Sequence, residues 1–170
     1  VTAISYLFPL WAGDLLGWGA REVGIIFGVQ GLMMAVLQGL LVGPLSQWMG
    51  ELRFLRTGVC IMLAGLVLAI FSATTVPMVA AFLIAATGAT FTMPILNSIA
   101  TKRTPAMLRG RMMGTTASAG SWGRVTGPLV AGGGLYFFGY PQAWVLCVLM
   151  ALGLLFWAFF LVPELPADKN

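Results

Sequence analysis

Long uncharged apolar stretches alternate with short loops in this chain, and Lys and Arg collect in every second loop. The plainest stretch, residues 143–162, is twenty consecutive residues without a charge. An α-helix rises about 1.5 Å per residue, so about twenty residues cross a hydrocarbon core of roughly 30 Å. Lipid offers no hydrogen bonds, so a crossing chain must pair its own N–H and C=O groups, as helices and closed barrels do. The stretches are continuous rather than alternating in polarity, which selects helices over barrel strands. The expected fold class is all-α, a polytopic membrane protein.

Composition narrows the function. Charged residues are 8% and apolar residues 59% of the chain, whereas soluble domains carry about 25% charge. No sizeable water-exposed domain fits. The net charge of +4 sits in loops at the membrane edge, not on a folded basic face, so the expected partner is a lipid bilayer and not nucleic acid. Cys60 and Cys147 both lie in apolar stretches, where thiols behave as small apolar groups, and no disulfide is expected. The chain has no His, which removes most metal sites and His-based acid–base chemistry. Intramembrane hydrolysis needs His, paired acids or a Ser–base arrangement. No enzyme activity and no cofactor are expected.

Six helices can be placed. The first ends near Ala12 and is too short to span, so it reads as the end of a longer helix in a longer protein. Residues 13–21 form a polar turn. The second helix covers 23–45, followed by a loop at 46–53, and the third covers 54–72. After a tight turn at 73–77 come a fourth helix at 78–100 and the most basic loop, 101–111. The fifth helix covers 112–138, and 139–142 turns into the sixth at 143–162. The membrane unit is thus 1–162, with a polar tail at 163–170. Arg53, Arg56, Lys102, Arg103, Arg109, Arg111 and Lys169 all fall on one side, against Arg21 on the other. Basic residues are retained in the cytoplasm, which puts that side and the C-terminus there.

The chain also echoes itself. Gly39, Gly43 and Pro44 in helix two recur as Gly123, Gly127 and Pro128 in helix five, each followed by Leu. A GxxxG pair lets helix backbones approach closely, and Pro frees a carbonyl one turn back. Two three-helix units in series are what a 3+3 inverted repeat produces.

Two segments carry a family likeness. QGLLVGPLSQWMGELRFLRTG, residues 38–58, resembles the loop between helices eight and nine of the major facilitator superfamily. Gly43, Leu45, Gly50 and Arg53 fit the pattern, while Gln47, Trp48 and Glu51 depart from it. TPAMLRGRMMGTTASAGSWGRVTGPLVAGGGL, residues 104–135, is similar to the loop between helices ten and eleven and the small-residue helix eleven. The text GPLSQWMGE, with FTMPILNSI, is most similar to the drug:proton antiporter branch that includes tetracycline efflux proteins. The resemblance implies the C-terminal half of a twelve-helix transporter, with the N-terminal half of the same polypeptide as its partner. It also implies efflux of a small amphipathic solute from the inner membrane by alternating access, coupled to protons through that other half. A non-transporting subunit, or a half-sized protein acting as a dimer, is the alternative.

Thr87, Thr90, Pro94 and Asn97 share one face of helix four, which the resemblance makes a cavity helix. They read either as a substrate-facing stripe or as hydroxyls bonded back to their own helix. Arg124 is the one charge well inside a span, where it costs at least about 2.5–3.5 kcal/mol unless satisfied. It contacts an anion or substrate, or it bonds carbonyls freed near Pro128, or it snorkels; resembling families carry G-R-x-x-G-P here across different substrates, which implies a shared structural role. Gln30 and Gln38 line the pore or bond neighbouring helices. The Gly, Ser and Thr of helix five read as close packing, together with Gly39, Gly123, Gly127 and Pro128. Gly43, Gly50, Glu51 and Arg53 form a candidate cytoplasmic gate, with Glu51 and Arg53 either a latch or an exposed pair worth under about 1 kcal/mol.

Overall fold

A computed structural model describes residues 2–72 and 74–161. It is all-helical, with helices α1 (Thr2–Leu16), α2 (Ala20–Met49), α3 (Glu51–Phe71), α4 (Thr75–Arg103), α5 (Arg109–Phe138) and α6 (Tyr140–Phe156). A π-helical turn, Trp157–Leu161, prolongs α6, and another, Leu37–Val42, lies inside α2. The tail at 163–170 and its Lys169 lie outside the described residues.

The helices run further than the apolar stretches suggested, and the expected loops shrink. The loop at 46–53 is not a loop. Helix α2 continues to Met49, Ser46 Oγ bonds back to the Gly43 carbonyl (2.9 Å), and α3 begins at Glu51. Gly43 therefore lies inside α2, and Glu51 and Arg53 lie in the first turn of α3. Only Gly50 separates the helices, with φ +80°, a conformation that costs residues bearing a Cβ. Gly139, at φ +85°, makes the same one-residue joint between α5 and α6. The basic loop contracts too, to residues 104–108 with a single 3₁₀ turn, Ala106–Leu108. Polar side chains do not stop these helices; the positive φ of Gly50 and of Gly139 does.

Four of the helices are long and apolar enough to cross a membrane: α2, α3, α4 and α6. Helix α1 is short. Helix α5, at 30 residues, is long enough but polar. Among the described residues six helices form, but six apolar spans do not.

The closest contact is between α3 and α4. A Cβ on Gly88 would stand 2.3 Å from the Met62 amide nitrogen and 2.4 Å from the Gly58 carbonyl oxygen. A Cβ on Gly65 would stand 2.4 Å from the Ala85 nitrogen and 2.7 Å from the Ala81 oxygen. Backbone thus lies on backbone along a seam of Gly58, Gly65, Ala81, Ala85 and Gly88. Helix α1 packs against α5 and α4, and its Leu7, Phe8, Trp11 and Ala12 are all buried. Phe8 stacks on Phe82 at 4.2 Å between centroids, and Phe27 of α2 meets both rings edge-on at 6.4 and 5.5 Å.

Helix α6 packs along α3 and α5. At one end Arg56 donates to the Ala158 and Phe159 carbonyls (3.3 and 3.5 Å), with its guanidinium 4.6 Å from the centre of the Phe159 ring. These acceptors belong to the last turn, where helical partners run out. At the other end the Tyr140 hydroxyl donates to the Asp14 carboxylate of α1. No residue of α2 is fully buried, and only Ala131 and Gly134 of α5 are.

The seam predicts a sharp contrast. Gly65→Ala or Gly88→Ala forces backbone apart and should cost about 1–3 kcal/mol of unfolding free energy. Gly123→Ala, with nothing within 4 Å of its added Cβ, should be neutral or gain up to about 1 kcal/mol of helix propensity. Thermal unfolding in detergent micelles reads both. Equal effects at Gly88 and Gly123 would contradict the seam.

Candidate functional site

A cavity of about 690 Å³ lies among the helices. Helix α2 presents Gln30, Met34 and Gln38 to it, and α4 presents Thr90, Met93 and Asn97. Helix α5 contributes Thr116, Gly120, Gly123, Arg124, Thr126 and Gly127, and α6 contributes Cys147 and Met150. On each helix these residues recur mainly at spacings of three and four, so each helix turns one face inward. The walls are chiefly apolar and soft with methionine, with a few amides and hydroxyls and one cation.

Of the residues singled out in the sequence, Thr90, Asn97 and Arg124 meet at this cavity, joined by Gly123 and Gly127. Thr87 does not. Its hydroxyl donates to the Leu83 carbonyl (2.8 Å) and lies 3.6 Å from Met33 Sδ of α2. Thr90 is buried and bonds back to the Ala86 carbonyl (2.8 Å). The stripe is thus split: its threonines satisfy themselves, and Asn97 is exposed at the cavity. Pro94 and Pro128 have no N–H, so the Thr90 and Arg124 carbonyls lose their helical donors. Gly39 and Gly43 of α2 have open space where a Cβ would go.

The polarity of α5 is handled mostly within the helix. Thr115 and Thr116 both donate to the Met112 carbonyl (2.8 Å each), Ser121 to Ala117 (3.0 Å) and Thr126 to Trp122 (2.9 Å). Each hydroxyl that finds a carbonyl one turn back costs less to place in a membrane. Arg124 is different. It does not bond carbonyls near Pro128. Its Nη2 donates to Ser121 Oγ at 3.3 Å, and its side chain is exposed.

At the far end of α4 the expected pairing of Glu51 with Arg53 is replaced by another. Ser98 Oγ donates to Glu51 Oε1 at 2.6 Å, and Lys102 Nζ lies 2.9 Å from the same oxygen. Glu51 sits at the start of α3 with its side chain only 17% exposed, facing α4. Arg53, two residues on, points outward, as neighbours two apart on a helix must not share a face. The cluster ties α3 to α4 just beyond the Gly50 joint.

Sequence reasoning missed Met34, Met93, Met150, Thr116 and Thr126. The signal existed in part. Gln30, Met34 and Gln38 recur every four residues, and Met93 lies one turn before Asn97. Methionine in an apolar helix reads as packing, and nothing in a linear pattern tells one apolar face from another.

A bundle of apolar helices enclosing an open, mostly apolar cavity with a few polar groups is the build of an integral membrane protein that handles small solutes. The profile of the Major Facilitator Superfamily matches residues 1–170, and the chain belongs to that family of membrane transporters, not to the enzymes. It is 29% identical over 123 residues to the class G tetracycline resistance protein of Vibrio anguillarum, covering 72% of this chain and 31% of that protein. It is 27% identical over 124 residues to the class C tetracycline resistance protein of Escherichia coli, covering 73% and 31%. The matches span about a third of those relatives' length.

The Glu51 cluster makes a graded prediction. Ser98→Ala removes a short hydrogen bond to a half-buried carboxylate and should cost about 1.5–3 kcal/mol. Lys102→Ala removes an amine that is 62% exposed and should cost under about 1 kcal/mol. Thermal unfolding of both variants in the same detergent checks the order; a larger loss at Lys102 would reverse the account.

Proposed function

We propose that the protein is a secondary transporter that exports small amphipathic solutes by alternating access. The observation that carries this reading is the cavity itself, apolar walls with sparse amides and one guanidinium. Its polar residues Gln38, Asn97 and Arg124 are exposed, so it forms one wall of a site. The other wall comes from a second six-helix unit, the N-terminal half of such transporters, and access alternates as the units rock. Asp14, Glu22 and Glu51 lie near helix ends, so proton coupling falls to that second unit. The named activity of the relatives makes tetracycline the first solute to test.

The 3+3 inverted repeat belongs to the same proposal. Helices α2 and α5 are each 30 residues long, and each stops one residue before a positive-φ glycine. The GPL segments do not share a position in those frames: Gly43 is the 24th residue of α2 and Gly127 the 19th of α5. Helix length and joint, not the motif, support the repeat. The distribution of Lys and Arg supports cytoplasmic placement of Arg53, Lys102, Arg109 and the C-terminus.

Two measurements test this. Tetracycline uptake into inverted vesicles should require the protein together with its second six-helix unit. Asn97→Ala should slow it roughly fivefold, the loss of about one hydrogen bond. Uptake by the protein alone in liposomes would instead support a half-sized dimer. For orientation, cysteines placed at Ser46 and at Thr75 should react oppositely with an impermeant maleimide added outside cells, Thr75→Cys reacting and Ser46→Cys not; equal labelling would overturn the topology.

A further inference from the structure

Arg124 is the sixteenth of thirty residues in α5, about 22 Å from the start of that helix. Among the cavity-lining residues it carries the only charge. Halfway along a helix that crosses a membrane, as the proposed transporter requires of α5, a cation is costly unless something answers it. Among the described residues no acid answers it. The chain's five acids are Asp14, Glu22, Glu51, Glu164 and Asp168. The first three sit at helix ends, and the last two lie in the tail outside the described residues. Nor does the backbone answer it, since the acceptor Arg124 holds is the Ser121 hydroxyl on its own helix. That bond uses one of five guanidinium N–H groups. Ser121 donates its own proton to the Ala117 carbonyl (3.0 Å), so its oxygen is fixed as an acceptor and holds the guanidinium in place.

The same cavity is lined by the apolar side chains of Met34, Met93 and Met150, with Gln38 and Asn97 as neutral donors and acceptors. We propose that the solute carries an anionic group, a carboxylate or an equally acidic oxygen, which Arg124 binds while an apolar body rests on the methionines. Guanidinium suits this role because its planar fork pairs with two oxygens at once and is weakly hydrated. The inference rests on the cavity being the solute site and adds the charge class of the solute.

The test uses three probes with one apolar body: 1-pyrenebutanoate, 1-pyrenebutanol and 1-pyrenebutylamine. Fluorescence anisotropy reads their binding to the protein in phosphatidylcholine nanodiscs. The anion should bind about tenfold more tightly than the alcohol, and the amine most weakly. Arg124→Gln should bring the anion to the level of the alcohol and leave the alcohol unchanged; Arg124→Lys should keep part of the preference. If Arg124→Gln does not fold, the wild-type order alone decides. Equal binding of anion and alcohol, or a preference for the amine, would overturn the assignment while leaving the cavity reading intact. Failure of all three probes to bind would overturn both. A second set of nanodiscs containing phosphatidylglycerol separates solute from lipid: loss of pyrenebutanoate binding there would make the anion a headgroup and refute the solute assignment.

Discussion

Everything in this bundle hangs from the contact of α3 with α4, where glycines let two helix backbones touch. Between helices in lipid there is no hydrophobic drive, so close packing and hydrogen bonds must supply association. Gly58, Gly65 and Gly88 make that packing possible by leaving out their Cβ atoms. The pair then offers two sides. Helix α1 stacks Phe8 on Phe82 on one, and α6 runs along α3 on another, fixed at its end by Arg56. Helices α2 and α5 add few fully buried residues, none from α2 and Ala131 and Gly134 from α5, and each turns a face to the cavity.

The distribution of polarity follows the same logic. Hydroxyls in the membrane helices turn back to their own carbonyls, as in Thr87, Thr90, Thr92, Ser121 and Thr126. Such groups are nearly neutral to the membrane and carry little information about a ligand. Groups that cannot be satisfied in this way stand out: the amides of Gln38 and Asn97, and above all Arg124. A carbonyl freed by proline accompanies two of the cavity residues, Thr90 and Arg124. The cavity thus presents amides and a cation, while the threonines that line it turn back to their own helices.

Much of this was legible in the sequence, and the failures have physical causes. Helix number and order followed from apolar run length, because lipid permits little else. The ends did not, because residues such as Ser46, Gln47 and Lys102 are polar yet helical, and at two of the joints a single positive-φ glycine, Gly50 or Gly139, is all that separates the helices. Glycine misled more than any residue. The GxxxG segments at Gly39 and Gly123 suggested close packing, but the seam uses Gly65 and Gly88 on neighbouring helices, whose pairing requires a three-dimensional register. Glu51 was placed with Arg53 by proximity in sequence, and helix geometry turned it to Ser98 and Lys102 instead. Arg124 was readable from sequence alone because a charge inside a span is conspicuous without any structure.

The central claim is that the face built from Gln38, Asn97 and Arg124 lines a water-filled solute cavity within the membrane. Single cysteines at Gln38 and Asn97, in protein with Cys60 and Cys147 replaced by serine, test it directly by their reaction rate with a water-soluble methanethiosulfonate. The account predicts fast modification at both, slowed by a bound solute, and little at Leu68, which is exposed on α3 away from the cavity. Equal rates at all three positions, unaffected by solute, would contradict it.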